Sequence, residues 1–378
     1  MTGDVIDLHV ETDELVADVK RRLHAQNPDF TVNLQRLAVM LEDGGYAILA
    51  DDRSIGSYCA ASGATVELLV SDGFRGGEFV RLISESAESP ALSRMTDPWG
   101  VCLSPDGETL FVSSISNHCI LVLSASDGSH IRSIGSEGAD DGQLKHPAGI
   151  CLSNSGKLIF VADDGNHRVQ AFRVSDGSHI FTIGRRGFGS GQFFNFPTAI
   201  RMSPDGELLL VCDTHNHRIQ VISGSDGSVR TIGSRGSGSG QLEVPTDVCV
   251  SPDGEYCFVA DTKNHRVQVF RVGDGAYTRS IGSHGSGAGQ FRFPLGVCLS
   301  PCGELLFVSD QPEGANADDR DDRVQVFRAS DGEFMHTIGH GMGSNAGRFG
   351  AASMCLSPGG KFLFIVDRKN DRVQVFTA

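Results

Sequence analysis

One string of residues recurs along this chain, and its period restricts the folds open to it. From residue 98 the pattern P-x-G-V-C-L-S-P-D-G-E-x-L-F-V-A-D-x-x-N-H-R-V-Q-V-F-x-x-S-D-G-S-x-I-x-S-I-G-S-x-G-S-G-x-G-Q-F-x-x-P returns again and again. Its opening prolines are Pro98, Pro147, Pro197, Pro245 and Pro294, spaced 48 to 50 residues apart. A sixth copy begins near Ala351, delayed by an insertion. Each copy holds four short apolar runs, in the fifth GVCLS, LFVSD, RVQVF and MHTIG, separated by Pro-Asp-Gly, Asn-His and Ser-Asp-Gly turn signals. Four strands per unit at this period read as propeller blades. The expected fold is an all-β six-bladed propeller. Abundant glycine (47) beside a single Trp and four Tyr suits many short strands joined by tight turns.

The sixth copy stops at Val373-Gln374-Val375-Phe376, after its third run. The missing fourth run stands near the front of the chain. Ser71-Asp72-Gly73 matches Ser126-Asp127-Gly128, and Phe79-Val80-Arg81-Leu82-Ile83 matches His130-Ile131-Arg132-Ser133-Ile134. Residues 71–97 are therefore expected to supply the outer strand and loop of the last blade with 351–378, closing the ring and removing exposed sheet edges. That places a boundary between a front domain, 1–70, and the propeller, 71–378. Arg75-Gly76-Gly77 reads as a hairpin insertion; the competing reading is a processing site after Gly77.

The chain resembles NHL-repeat proteins at Asn166-His167-Arg168, Asn216-His217-Arg218 and Asn264-His265-Arg266, with departures at Asn117-His118-Cys119, Asp321-Asp322-Arg323 and Asn370-Asp371-Arg372. An Asp ends the second strand at Asp163, Asp213, Asp261, Asp310 and Asp367, and an Arg follows the turn at Arg168, Arg218, Arg266, Arg323 and Arg372. The first copy loses both together, with Ser114 and Cys119 in their places. Paired presence and paired loss predict an Asp–Arg contact within each blade, bidentate and structural. Cys102, Cys151, Cys249, Cys298 and Cys355 share one innermost position, which Arg201 takes in another copy and where it is expected to face the central channel. Thiols spread over separate blades read as reduced packing residues rather than a zinc site. His118, His167, His217 and His265 read as turn hydrogen-bonding groups.

Residues 1–70 resemble ubiquitin through Gln35-Arg36-Leu37, Leu49-x-Asp51-x-Arg53-Ser54-Ile55-x-x-Tyr58 and Gly63-x-Thr65-Val66-x-Leu68, with a helix expected at Val16-Ala17-Asp18-Val19-Lys20-x-x-Leu23 from its apolar residues at spacing 3 and 4. The resemblance implies a small α+β β-grasp domain lacking its first strand, since Thr2-Gly3 aligns with the first turn. Of the recognition patch it implies, Ala38 replaces an isoleucine and Leu69 keeps an apolar position. Lys20 is the only lysine before residue 70. A built-in docking domain fits this better than a free modifier.

In a four-strand meander, first–second and third–fourth hairpins share one face, while second–third and inter-blade loops share the other. The first set is uniform, as in Pro105-Asp106-Gly107, Pro204-Asp205-Gly206 and Pro252-Asp253-Gly254. The opposite face varies, and specificity is usually placed on variable loops of a rigid scaffold. Its candidate partner-binding residues are Trp99, Arg185, Arg186, Phe188, Arg235, Asp247, His284 and Leu295, with Thr246 also at the rim. This basic, partly aromatic arc faces acidic loops carrying Glu85, Glu88, Glu137, Asp140 and Asp141, and an acidic insertion from Gln311 to Asp322. The bland reading is ordinary solvated loops.

The net charge of −15, from 32 Lys and Arg against 47 Asp and Glu, weighs against a general nucleic-acid or membrane-surface binder. No apolar run approaches a membrane span and no signal peptide opens the chain, so a cytoplasmic protein is expected. The ten cysteines hold no CxxC pair, no RING or B-box is visible, and no nucleophile–base pair stands out. The leading expectation is a non-enzymatic scaffold or adaptor without metal or cofactor, which binds a protein or peptide and docks to ubiquitin–proteasome components. Resemblance to NHL proteins also implies the alternative of single-stranded RNA binding by the Arg185/Arg186/Phe188 arc. A second alternative is a metal-dependent lyase or hydrolase in the channel, for which Asp247 is the main candidate.

Overall fold

The computed structural model describes residues 38–40, 46–48, 68–69, 79–84, 95–192, 196–311, 322–339 and 351–378. The chain divides into two units, one spanning Met1–Gly76 with Gly359–Lys361 and one spanning Gly77–Pro358 with Phe362–Ala378. In the first, Ala38–Met40 pairs antiparallel with Tyr46–Ile48 on one side and Leu68–Leu69 on the other. Leu69 stands in the last of these strands, while the helix over Val16 to Leu23, the expected loss of a first strand and Arg75-Gly76-Gly77 fall on residues outside the described ones.

In the second unit, six four-stranded antiparallel sheets form the blades. Blade two shows the pattern: inner strand Pro147–Leu152, then Leu158–Asp163, Arg168–Arg173 and outer strand His179–Ile183. The second strands of blades two, three, four and six are apolar at every position but the closing Asp because both of their faces are covered. In blade one, Leu110 and Val112 pack with Val366 and Val373 of blade six, while Phe111 between them packs with Ile150 and Ile159 of blade two. Successive strand residues point to opposite faces, so each middle strand supplies two inter-blade cores. Burying each such side chain contributes about 1.5–3 kcal/mol.

Blade six comprises Ala351–Leu356, Phe362–Asp367 and Arg372–Thr377, with Phe79–Ile83 as its outer strand. Ile83 pairs with Val373 as Ile134 pairs with Ile120 in blade one. Gly128 turns at φ +75°, and a Cβ there would lie 2.8 Å from the Ile83 side chain, so this hairpin requires glycine where the ring closes.

The Asp–Arg pairs form, but not as two parallel bonds. Asp261 Oδ2 receives Arg266 Nε at 2.8 Å and Gln268 Nε2 at 2.9 Å, while Oδ1 receives Asn264 Nδ2 at 3.0 Å and the Glu243 N–H at 2.7 Å. With Oδ1 occupied, Arg266 turns its Nη2 to the carbonyls of Gly238 (2.8 Å) and Gln241 (3.0 Å) in the loop leading into the blade. Asp163–Arg168, Asp213–Arg218 and Asp367–Arg372 make the same single Nε bond at 2.6–2.8 Å. Arg323 stands farther from Asp310, at 3.3 Å. In blades two to five the arginine also bonds carbonyls of the incoming loop, so these pairs fasten an inter-blade loop rather than only bracing a blade.

Candidate functional site

Every blade breaks its first ladder just after the opening residue. In blade one, Pro98 faces Ser114, but the next pair is Val101 with Val112; the same shift occurs in the other five blades. Two residues then oppose one, a bulge that re-aims side chains. These bulge residues line the channel mouth: Trp99, Gly149, Thr198, Ala199, Thr246, Asp247, Leu295 and Ser353 surround a shallow, open depression that also involves Ile150, Ile200 and Arg201. The second bulge position abuts the next blade. A Cβ on Gly149 would stand 2.5 Å from the Ala199 Cα, which explains the glycine there.

Blade four puts Asp247 in that second position. The expectation of Asp247 as a rim contact needs correction. It is 4% exposed, and its carboxylate accepts the N–H groups of Val248 (2.9 Å) and Val297 (3.0 Å), tying blade four to blade five. Burial pushes its pKa up, opposed by Arg201. Arg201 does enter the channel. Its Nη2 stands 3.8 Å from Asp247 and 3.5 Å from the Met354 carbonyl, and its Nη1 is 3.5 Å from the Ile150 carbonyl. Around it the five thiols stay protonated, because burial drives their pKa values up, to about 12 for Cys151 and Cys355. Among the described residues, no group of three or more His, Cys, Asp or Glu could hold a metal ion.

Arg185, Arg186, Phe188, Arg235 and His284 do not line the depression; they sit on the inter-blade loops. These loops share one frame. Gln192, Gln241 and Gln290 each fold back to accept an N–H three residues earlier, from Gly189, Gly238 and Gly287, at 2.9–3.1 Å. Glu137, Arg186, Arg235 and His284 then occupy one equivalent position, directly before Gly138, Gly187, Gly236 and Gly285, whose φ values run from 148° to 159°. Each lies by the left-handed histidine of the blade before it. Glu137 is 3.7 Å from His118, and the His284 ring stacks on His265 at 4.2 Å between centroids. Arg186 and Arg235 are among the charges acting on His167 and His217, whose pKa values are lowered first by burial. Two of the histidines hydrogen-bond at their turns as expected, His118 and His217 Nδ1 each accepting a backbone N–H, from His146 and Val244, at 3.1 Å, whereas His167 Nδ1 is buried without a partner among the described residues. Arg185 and Arg186 are exposed, and Phe188 is 69% exposed. Arg235 also approaches Glu243 at 3.6 Å. The acidic residues Glu85 and Glu88, and the insertion after Gln311, lie outside the described residues, while Asp141 is engaged by Thr182 at 2.9 Å. The equivalence of the four loop positions was readable from their shared Gly-x-x-Gly spacing. So was a recurrent Gln two residues after each Arg, which completes the buried polar set.

Blade two carries a local exception. Thr214 and Thr262 donate to the next blade's Pro245 and Pro294 carbonyls at 2.8 and 2.7 Å. Asp164 stands in the equivalent place, buried, with Oδ1 unpartnered. Burial, and then Asp163 beside it, raise its carboxyl from 3.8 to about 7. The folded state thus holds a proton that the unfolded state has lost, so Asp164 costs stability increasingly as pH rises from about 4 to about 7. Asp164→Thr should stabilise the protein at pH 8, by an amount that shrinks toward pH 4. Thermal melts across that range check this; an equal gain at both ends would contradict it.

Six blades around a central channel make the molecule a six-bladed β-propeller. Its blades two to four carry NHL repeats, matched at residues 144–172, 194–222 and 242–270. Among solved structures, the chain is similar to hydrazine synthase of Kuenenia stuttgartiensis, at 18% identity over 77% of this chain and 79% of that one, with a TM-score of 0.55. It is also similar to the Cps50 (Swd1) β-propeller domain of Myceliophteria thermophila, at 12% identity over 80% of this chain and 99% of that one, with a TM-score of 0.53. At such identities the likeness is one of fold. A search of curated proteins by sequence finds no match. Among the described residues, no helix is long and apolar enough to cross a membrane.

Proposed function

We propose that this protein is a non-enzymatic interaction scaffold whose propeller binds a protein or peptide on the face formed by the inter-blade loops and the channel mouth. The observation that carries this reading is the contrast in how that face is built. One shared loop frame, held by buried Asp–Arg–Gln sets, presents Glu137, Arg186, Arg235 and His284 at the same position in four successive inter-blade loops, so the charge offered there changes around the face. A constant frame with variable outward groups suits recognition. Arg185, Arg186 and the exposed Phe188 are the strongest contact candidates, since arginine and aromatic residues dominate binding hot spots. In the same proposal, residues 1–70 dock to ubiquitin–proteasome components, making the chain an adaptor of the cytoplasm.

Affinity capture with the full chain, with and without nuclease, tests this. Protein partners that survive nuclease are expected, ubiquitin–proteasome components among them. Partners that vanish with nuclease would instead favour RNA binding by the same basic arc.

A further inference from the structure

The channel of this propeller breaks the repeat at two places that meet. Five blades put cysteine at the fourth position after their opening residue, and blade three puts Arg201 there. Three blades put glycine at the second position, and blade four puts Asp247 there. Scaffold needs do not explain the arginine, because five other blades pack a thiol in its place. Its polar contacts are also loose. Every one lies at 3.5 Å or beyond, whereas the Nε bonds of the scaffold arginines to Asp163, Asp213, Asp261 and Asp367 are 2.6–2.8 Å. A guanidinium strongly favours short, paired bonds to a carboxylate. Asp247 does not supply them: its Oδ2, already facing the Val297 N–H, stands 3.8 Å from the Arg201 Nη2.

We infer that Arg201 is the seat for a carboxylate that a bound peptide inserts into the channel mouth. This rests on the reading of that face as a peptide-binding surface and names the group it takes. The surroundings select the chemistry. Trp99 and Leu295 give the mouth an apolar wall, suited to the body of a peptide residue. The Thr198 and Thr246 hydroxyls already donate to the Thr246 and Leu295 carbonyls, at 2.9 and 2.8 Å, which leaves Arg201 as the charged donor lining the depression, beside the neutral Trp99 and Ser353. Asp247 beside it disfavours a doubly charged phosphate and leaves a singly charged, planar carboxylate as the better match. That carboxylate can come from a chain end or from an acidic side chain; the chemistry is the same.

Trp99, the one tryptophan of the chain, reports on this site directly. Its fluorescence in the full-length protein would be followed while acetate, acetyl-glycyl-glycyl-leucine with a free or amidated end, and acetyl-glutamate amide are titrated at constant ionic strength set with chloride. A saturable change with the carboxylate-bearing probes and none with the amidated tripeptide is expected; the stronger of the free-end tripeptide and the glutamate amide identifies the source. The paired variant R201C/D247G restores the repeat residues at both positions and should melt near the parent while binding about tenfold or more weakly. R201K, which keeps the charge without the fork, should bind at an intermediate level. A change that never saturates, or that persists in a folded R201C/D247G or equally in R201K, would overturn the assignment. Partner loss in R185E/R186E, with no Trp99 response to any carboxylate, would overturn it while leaving the binding face intact.

Discussion

Replacing Asp261 with alanine is expected to destabilise the protein by about 3–5 kcal/mol, the usual cost of removing one partner from a buried ion pair. The loss reaches beyond that pair. The Asp261 carboxylate is fully buried and accepts from Arg266, Gln268, Asn264 and the Glu243 N–H. Removing it strands these donors and loosens the loop whose Gly238 and Gln241 carbonyls Arg266 grips. Blade one supplies the control. There Ser114 faces Cys119, Leu121 stands in place of the glutamine, and Ser114 Oγ binds the incoming chain directly, accepting the Thr96 N–H at 3.2 Å and donating to the Thr96 carbonyl at 2.7 Å. The triple variant D261S/R266C/Q268L, which copies that arrangement, should therefore lose much less than the single one. Urea unfolding followed by circular dichroism compares them. A triple variant as unstable as D261A would show that the polar set contributes more than removal of stranded groups can explain.

Ring closure gives the second large effect. Ile83 is 1% exposed and belongs to the core shared with Val373, Val375, Val112 and Leu121. Ile83→Ala should cost about 2–5 kcal/mol, the range for emptying a packed core site. Its strand neighbour Phe79 is partly exposed and only edges onto Phe376, with ring centroids 5.9 Å apart, so Phe79→Ala should cost clearly less. Loosening this strand also uncovers the edge of Arg372–Thr377, a template for pairing with another chain. Ile83→Ala should accordingly aggregate on warming before Phe79→Ala does, as read by light scattering. Equal midpoints for the two variants would mean that closure does not depend on this residue.

The ring was legible because the chain carries its own comparison set. The position of Ile83 in its run repeats that of Ile134, and the structure gives both the same pairing register. The Asp–Arg pairing was legible from joint loss in blade one, but its geometry was not. Sequence cannot show that Asn264 and a loop N–H occupy the oxygen a bidentate arginine would need. Asp247 misled for a related reason. A carboxylate beside the rim residues reads as a surface contact until the bulge is known to turn it toward the neighbouring strand. The loop residues were found singly, although Glu137, Arg186, Arg235 and His284 share one place in the frame; reading the glycines as fixed points would have aligned them.

On the proposed function, this protein binds its partner through the inter-blade face and not the hairpin face. A partner recovered with the full chain would be measured by titration calorimetry against the parent, R185E/R186E, and a hairpin-face control, D127K. Asp127 sits in a uniform Ser-Asp-Gly turn, where its carboxylate is held well below the usual range chiefly by the Ser129 N–H. R185E/R186E is expected to weaken binding by about tenfold or more, as loss of arginine hot spots does, while D127K binds like the parent. Unchanged affinity for R185E/R186E, or a loss confined to D127K, would contradict the proposal.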